Sequence, residues 1–332
     1  MMRIAANSWW ALGVLILSGI GVLSLGIGAI DVPVLDVFRA LLDPNHAMHV
    51  VVGQIRIPRL FAGLLIGSGL GLAGAAMQAI FRNPLADPGL IGVSSGAALG
   101  AVLAIVVLPG MLHPSTLSTM AALGGLLATW VVWRAAHVQG LSDSATLVLA
   151  GVAVNAFAGA AIGLMTFISN DAQLRNLTVW MLGSLAGISW TQLTILAPTT
   201  VLCGLGIWLK SRQIDAYTLG DEESTTLGLN VKVLRRQVVT LSAVLIAVGV
   251  SFTGIIGFIG LVVPHLVRFL VGPRHAVLLP GSAMVGAGLL TLSDLFSRTI
   301  ALPMELPIGV VTSVLGAPFF LFLLRRRIGG GH

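Results

Sequence analysis

The stretch Gln237–Val271, QVVTLSAVLIAVGVSFTGIIGFIGLVVPHLVRFLV, decides the fold class. It contains no acid, and Arg268 is its one Lys or Arg. A straight helix of that length would measure roughly 50 Å at 1.5 Å per residue. The hydrocarbon core of a bilayer is only about 30 Å thick. The segment must fold back, and Gly254, Gly257 and Gly260 mark the break. This predicts a full membrane pass over Gln237–Thr253 and a shorter one over Phe258–Leu270.

The rest of the chain has the same character. Of its 332 residues 56% are hydrophobic and 9% charged, whereas soluble domains carry about 25% charged residues. A water-soluble enzyme and a disordered chain are both excluded. Further apolar segments run at Trp9–Gly28, Leu60–Ile80, Leu90–Leu108, Leu117–Trp133, Ala145–Ile168, Leu193–Leu209, Val277–Leu295 and Pro307–Leu324. With the two halves of the opening stretch, these make ten helices. The expectation is an all-α polytopic membrane protein forming one permease domain over residues 1–332.

Lys and Arg collect on the cytoplasmic side of membrane proteins. With both termini inside, the inner set is Arg3, Arg82, Arg134, Lys210, Arg212, Lys232, Arg235, Arg236, Arg268, Arg274, Arg325, Arg326 and Arg327. Only Arg39, Arg56, Arg59, Arg175 and Arg298 fall outside. This distribution accounts for most of the +6 net charge without nucleic acid. The first apolar run exceeds the core of a signal peptide and reads as an uncleaved helix. The polar loops lie at about 29–58 and 169–190 outside and 211–236 inside.

No nucleotide or metal motif interrupts this pattern. Gly69-Leu-Gly71-Leu-Ala-Gly74 matches GxGxxG, but inside a membrane span and without the strand that a dinucleotide site needs. Gly63, Gly67 and Gly71 instead share one helix face, where small residues let backbones approach. The single cysteine, Cys203, excludes a disulfide framework or zinc quartet. His46, Met48 and His49 read as polar loop residues, and no metal site is expected. Asp294 is the one acid within a predicted span, with Arg298 at i+4 as its expected partner. Without a midplane acid a proton-coupled carrier loses appeal, although backbone carbonyls can bind sodium unaided. An intramembrane enzyme lacks a nucleophile–base pair.

Three regions are candidates for function. Asp221-Glu222-Glu223 suits a helix N-terminus and Gly228 a helix stop, so Asp221–Leu227 predicts a short inner helix, either a docking knob or a solvated loop. Arg56, Arg59 and Arg298 stand at outer helix ends, as snorkelling residues or as forks for carboxylates. Arg175 lies in the piece Asn170–Trp180, which is too short to span.

These residues fall within longer motifs: Arg56-Ile-Pro-Arg59-Leu, Gln78-Ala-Ile-Phe-Arg82-Asn-Pro-Leu-Ala-Asp-Pro88, Gly92-Val-Ser-Ser-Gly96, Gly257-Phe-Ile-Gly-Leu-Val-Val-Pro264-His265 and Glu305-Leu-Pro-Ile-Gly309. In this order they resemble the FecCD-type permeases, the membrane subunits of type II ABC importers for cobalamin, ferric siderophores and haem. The resemblance implies a homodimer in the bacterial inner membrane, with the translocation path on its two-fold axis. It also implies two cytoplasmic ABC ATPase subunits, a periplasmic substrate-binding protein, and ATP with Mg on the partner subunits. No permanently bound cofactor and no catalysis by the chain itself are expected.

By the same resemblance Arg56, Arg59 and Arg298 pair with glutamates of the binding protein. The inner coupling loop, about 211–236, forms coupling helices over Asp215–Gly228, and Leu219, Gly220, Asp221, Glu222, Glu223, Ser224, Thr225, Thr226, Leu227 and Gly228 couple to the ATPase. Arg175 and Trp180 line the translocation path or gate. The stretch DAQLRNLTVWMLGSL, Asp171–Leu185, looks most like the haem-importing branch, with ferric siderophores and cobalamin as alternative cargo. A stand-alone secondary transporter is the alternative of another class.

Overall fold

The computed structural model describes residues 6–111, 113–136 and 144–329. Arg3 lies outside the described residues, as do the side chains of Arg325, Arg326 and Arg327. In chain order the helices are α1 (Ala6–Gly26), α2 (Val34–Leu42), α3 (Ile57–Ile80), α4 (Val93–Val107), α5 (Pro114–Ala136), α6 (Ser144–Ile168) and α7 (Asp171–Leu182). They continue with α8 (Trp190–Trp208), α9 (Ser211–Tyr217), α10 (Asp221–Thr226), α11 (Val231–Thr253), α12 (Ile259–Val271), α13 (His275–Ser297) and α14 (Ile308–Gly329). Ten of these coincide with the expected passes. Among the described residues seven spans are long and apolar enough to cross a bilayer, while α4, α12 and α14 are shorter apolar helices.

The break in the opening stretch falls where the glycines predict it. Helix α11 stops at Thr253 and α12 begins at Ile259. Gly254 turns the chain with φ +72°, and a Cβ there would stand 2.0 Å from the Trp180 carbonyl oxygen. Only glycine suits both conditions. At its other end α11 starts at Val231, six residues before the expected Gln237. The Asn230 side chain accepts from Val233 N at 3.1 Å and caps the helix there. The basic turn containing Lys232, Arg235 and Arg236 is therefore helical, because a helix need not stop where the lipid does.

Helix α8 carries a tryptophan at each end. The indole of Trp190 donates to Gly53 O at 3.0 Å, and that of Trp208 to Ala276 O at 3.1 Å. The two are separated by about 27 Å of helical rise, close to a hydrocarbon thickness. Interfacial tryptophans of this kind mark the two membrane surfaces.

Helix α3 is enclosed along most of its length, whereas α1 and α6 are largely exposed. Helices α11, α12 and α13 pack around α3. The α3–α13 crossing is made by the predicted glycine face. A Cβ on Gly67 would stand 2.3 Å from Gly286 O, and one on Gly71 would stand 2.2 Å from Ser282 O. Gly63 faces Thr291 on the same helix. With no hydrophobic effect between helices in lipid, such backbone proximity supplies the dispersion contacts that hold them.

Two elements were not anticipated. Helix α2 lies in the outer loop and buries Val37 and Ala40. Helix α9 precedes the expected inner helix and buries Ser211, Ile214 and Tyr217.

Candidate functional site

Three of the five outer arginines, Arg56, Arg59 and Arg298, gather at one end of the bundle, and none of the three is displayed. Arg56, Arg59 and Arg298 are 5, 7 and 6% exposed. Arg56 donates to the carbonyls of Leu25 at 2.5 Å and Gly26 at 2.9 Å, and also to Ile30 O. Arg298 donates to Ser24 O, and to Ser24 Oγ at 2.9 Å. These acceptors belong to the last turn of α1 and the turn after it. The last carbonyls of any helix lack intrahelical partners, and α1 has no basic residue of its own in that turn. Arg56 and Arg298 supply the missing donors and place positive charge at the negative end of the α1 dipole. Burial holds the Arg298 guanidinium below the usual arginine range, against the pull of Asp294.

Arg59 is the centre of an ion-pair network. Its Nε lies 3.0 Å from both oxygens of Asp294, and its terminal nitrogens reach the two Glu305 oxygens at 3.0 and 2.9 Å. The bond to Asp294 joins α3 to α13, and Glu305 ties in the segment leading to α14. Asp294 does pair with Arg298, at 3.7 Å, but Arg59 is its main partner. The guanidinium groups of Arg56, Arg59 and Arg298, expected at the binding-protein surface, are enclosed in this chain and hold acceptors of their own chain. Glu305 is the more open member, its side chain 42% exposed.

At the inner end α10 matches the predicted short helix to within one residue. Its surface is exposed apart from Ser224, and Leu219 and Leu227 flank it, each 65% exposed. Asp221 anchors its first turn, with Oδ1 at 2.5 Å from Arg82 and Oδ2 at 3.3 Å from Arg235. Gly220 precedes it with φ +141°. The result is an apolar-edged knob, exposed at its tip and tied at its base to the ends of α3 and α11. Neither arginine contact was visible in the chain order, because both partners come from other elements.

Helix α7 spans 12 residues, about 18 Å, and cannot cross the membrane. A reciprocal capping box between Asn170 and Gln173 starts it. The Gln173 side chain also reaches the final carbonyls of α4, Ile105 O and Val106 O. Arg175 is exposed on this helix. Trp180 is half-buried and packs against the hydrophobic core, so the two expected gate residues have different surroundings. Gly183, just beyond the helix, accepts from Ile308 N at 3.1 Å, and Ser184 N donates to Thr253 O at 2.7 Å. The end of α7 is thereby joined to the end of α11 and the start of α14. In the outer loop His49 Nδ1 meets Ala40 O at 2.7 Å and His46 Nδ1 accepts from Met48 N, both contacts within the loop.

With this geometry in place, the sequence profile described as the FecCD transport family matches residues 15–326. The chain belongs to the FecCD transport family. It is similar to the hemin transport system permease protein HmuU of Yersinia pestis, with 43% identity over 91% of this chain and 92% of that one. The vitamin B12 import system permease protein BtuC of Klebsiella pneumoniae is 41% identical, with 84% of each chain covered. A solved structure described as an inward-facing metal-chelate type ABC transporter superposes with TM-score 0.86 at 33% identity, over 97% of this chain and all of that one. This FecCD protein is a permease subunit of an ABC importer in the inner membrane. Membership in the family displaces the stand-alone secondary carrier.

Proposed function

We propose that two copies of this permease form the membrane core of a haem importer. In this reading, two ATPase subunits seat on α10 from inside, and a binding protein delivers cargo to the outer face. The observation that carries the cargo assignment is the likeness, along 91% of the chain, to a hemin permease. An exposed arginine at position 175 on a short outer helix suits a ligand bearing carboxylates, since a guanidinium and a carboxylate form charge-assisted hydrogen bonds. ATP and Mg are bound by the partner subunits, and this chain supplies no permanently bound cofactor.

The coupling role of Leu219–Gly228 is supported by its shape. An exposed helix with a leucine on each flank offers apolar area for a cleft, and its anchored base lets a push reach the membrane helices. The network of Arg59, Asp294 and Glu305 acts behind the outer surface, holding the ends of α3 and α13 in register for docking. The cargo is tested by isolating the binding protein that stimulates this transporter and recording its visible spectrum. A haem Soret band is expected. A corrinoid or ferric-siderophore spectrum would overturn the cargo and leave the permease assignment standing.

A further inference from the structure

Asp215 and Tyr217 lie two residues apart on α9 and hold the inner ends of two different membrane helices. Tyr217 is fully enclosed, and its hydroxyl donates to Ile80 O at 3.1 Å, at the last residue of α3. Asp215 Oδ1 accepts from the backbone N–H of His275 at 3.0 Å and from the ring Nδ1 of the same residue at 2.6 Å. His275 opens α13, and Arg274 before it makes no side-chain capping bond. Asp215 therefore caps α13 from another helix, placing its carboxylate at the positive end of that dipole. A carboxylate can only accept, so the imidazole proton sits on Nδ1.

The same helix is welded to the knob. The Ser224 hydroxyl donates to Ala216 O at 3.0 Å, and Ser224 itself is completely buried. Arg82, just past α3, stacks over the Tyr217 ring at 4.3 Å and donates to Tyr217 O at 2.7 Å. Arg235 donates to the Tyr217 hydroxyl at 2.8 Å. Helices α9 and α10 thus form one stiff block, because every short segment in it is bonded outside itself. The two helices it grips are in turn backbone to backbone at Gly67 and Gly286.

We infer that α9 is the transmission joint of this permease, with Asp215 and Tyr217 as positioning residues that carry a displacement of α10 to α13 and α3 together. The inference rests on the coupling role proposed for α10. It accounts for a buried tyrosine and a cross-helix carboxylate–imidazole contact in the inner loop.

The test uses the full transporter with its ATPase subunits in nanodiscs, in a Cys203→Ala background. Spin labels are placed on both protomers at Gln213→Cys on the exposed side of α9, at Phe296→Cys at the exposed outer end of α13, or at Phe61→Cys at the exposed outer end of α3. Distances are compared without nucleotide and after trapping with ATP and vanadate. In the parent all three pairs shift. In Asp215→Ala the Gln213 shift persists while the Phe296 shift is lost. In Tyr217→Phe the Gln213 shift persists while the Phe61 shift is lost. Asp215→Asn keeps an acceptor for His275 and retains every shift. A full Phe296 shift in Asp215→Ala, or a full Phe61 shift in Tyr217→Phe, would overturn the joint, whatever their thermal stability. No Gln213 shift in the parent would overturn the coupling role of α10 and the joint with it. Tyr217→Phe removes one hydroxyl only, and its Phe61 readout decides the matter alone if Asp215→Ala does not assemble.

Discussion

Gly67 on α3 and Gly286 on α13 meet reciprocally: a Cβ built on either would stand 2.3 Å from the carbonyl oxygen of the other. Neither neighbour is a flexible side chain that could move aside. At this crossing α3, enclosed along most of its length, meets α13 main chain against main chain.

Gly67→Ala should cost about 1–3 kcal/mol through overpacking. The check is the melting temperature of the purified protein in detergent, with Gly19→Ala as the control. Gly19 lies on exposed α1 with nothing within 4 Å of a Cβ. Equal melting temperatures for the two variants would contradict the close seam.

Asp294→Ala should be far more damaging than Glu305→Gln. Removing Asp294 leaves the enclosed Arg59 and Arg298 with only the half-open Glu305 as counter-charge, and breaking a buried pair costs about 3–5 kcal/mol. Glu305 is partly open to water, where an ion pair contributes about 0–1 kcal/mol. The double variant Arg59→Met with Asp294→Leu should recover much of the loss, as read by thermal unfolding. Failure to recover would mean that the charges do more than satisfy each other.

Arg56→Gln should fray the end of α1. Its guanidinium reaches three carbonyls, α1 has no basic residue of its own in that last turn, and Arg298 reaches only Ser24 there. Hydrogen exchange should accelerate at the amides of Leu23–Ile27 while those of α8 stay protected. Unchanged exchange at α1, together with lost affinity for the binding protein, would contradict the capping role and favour direct docking by Arg56.

Leu219→Ser with Leu227→Ser should weaken association with the ATPase subunits about tenfold or more, as expected when exposed apolar anchors are removed from an interface. Pull-down in detergent measures this directly. Retained association would place the docking surface elsewhere.

The opening stretch shows how much could be read beforehand. Hydropathy and three glycines located the turn between Thr253 and Ile259, because a span that is too long must break where its backbone is most permissive. The inner helix at Asp221 was legible for a similar reason, since acids cluster where a dipole begins. Asp294 was legible only in part. Its i+4 neighbour Arg298 is a partner, yet the stronger one, Arg59, lies 235 residues away in the chain. The arginine caps on α1 left no local signal either: an exposed-looking Arg-Ile-Pro-Arg run has the same letters whether it faces a partner or another helix end.

Chain chemistry alone determined that the polypeptide crosses a bilayer about ten times, which side its cations occupy, and where one pass must reverse. Those properties follow from solvation, which acts residue by residue along the chain. Only the tertiary structure decided that Arg56 and Arg298 cap α1, that Arg59 neutralises Asp294, and that α9 grips both α3 and α13. Helix ends carry unsatisfied backbone groups, and which side chain satisfies them depends on which ends converge in space.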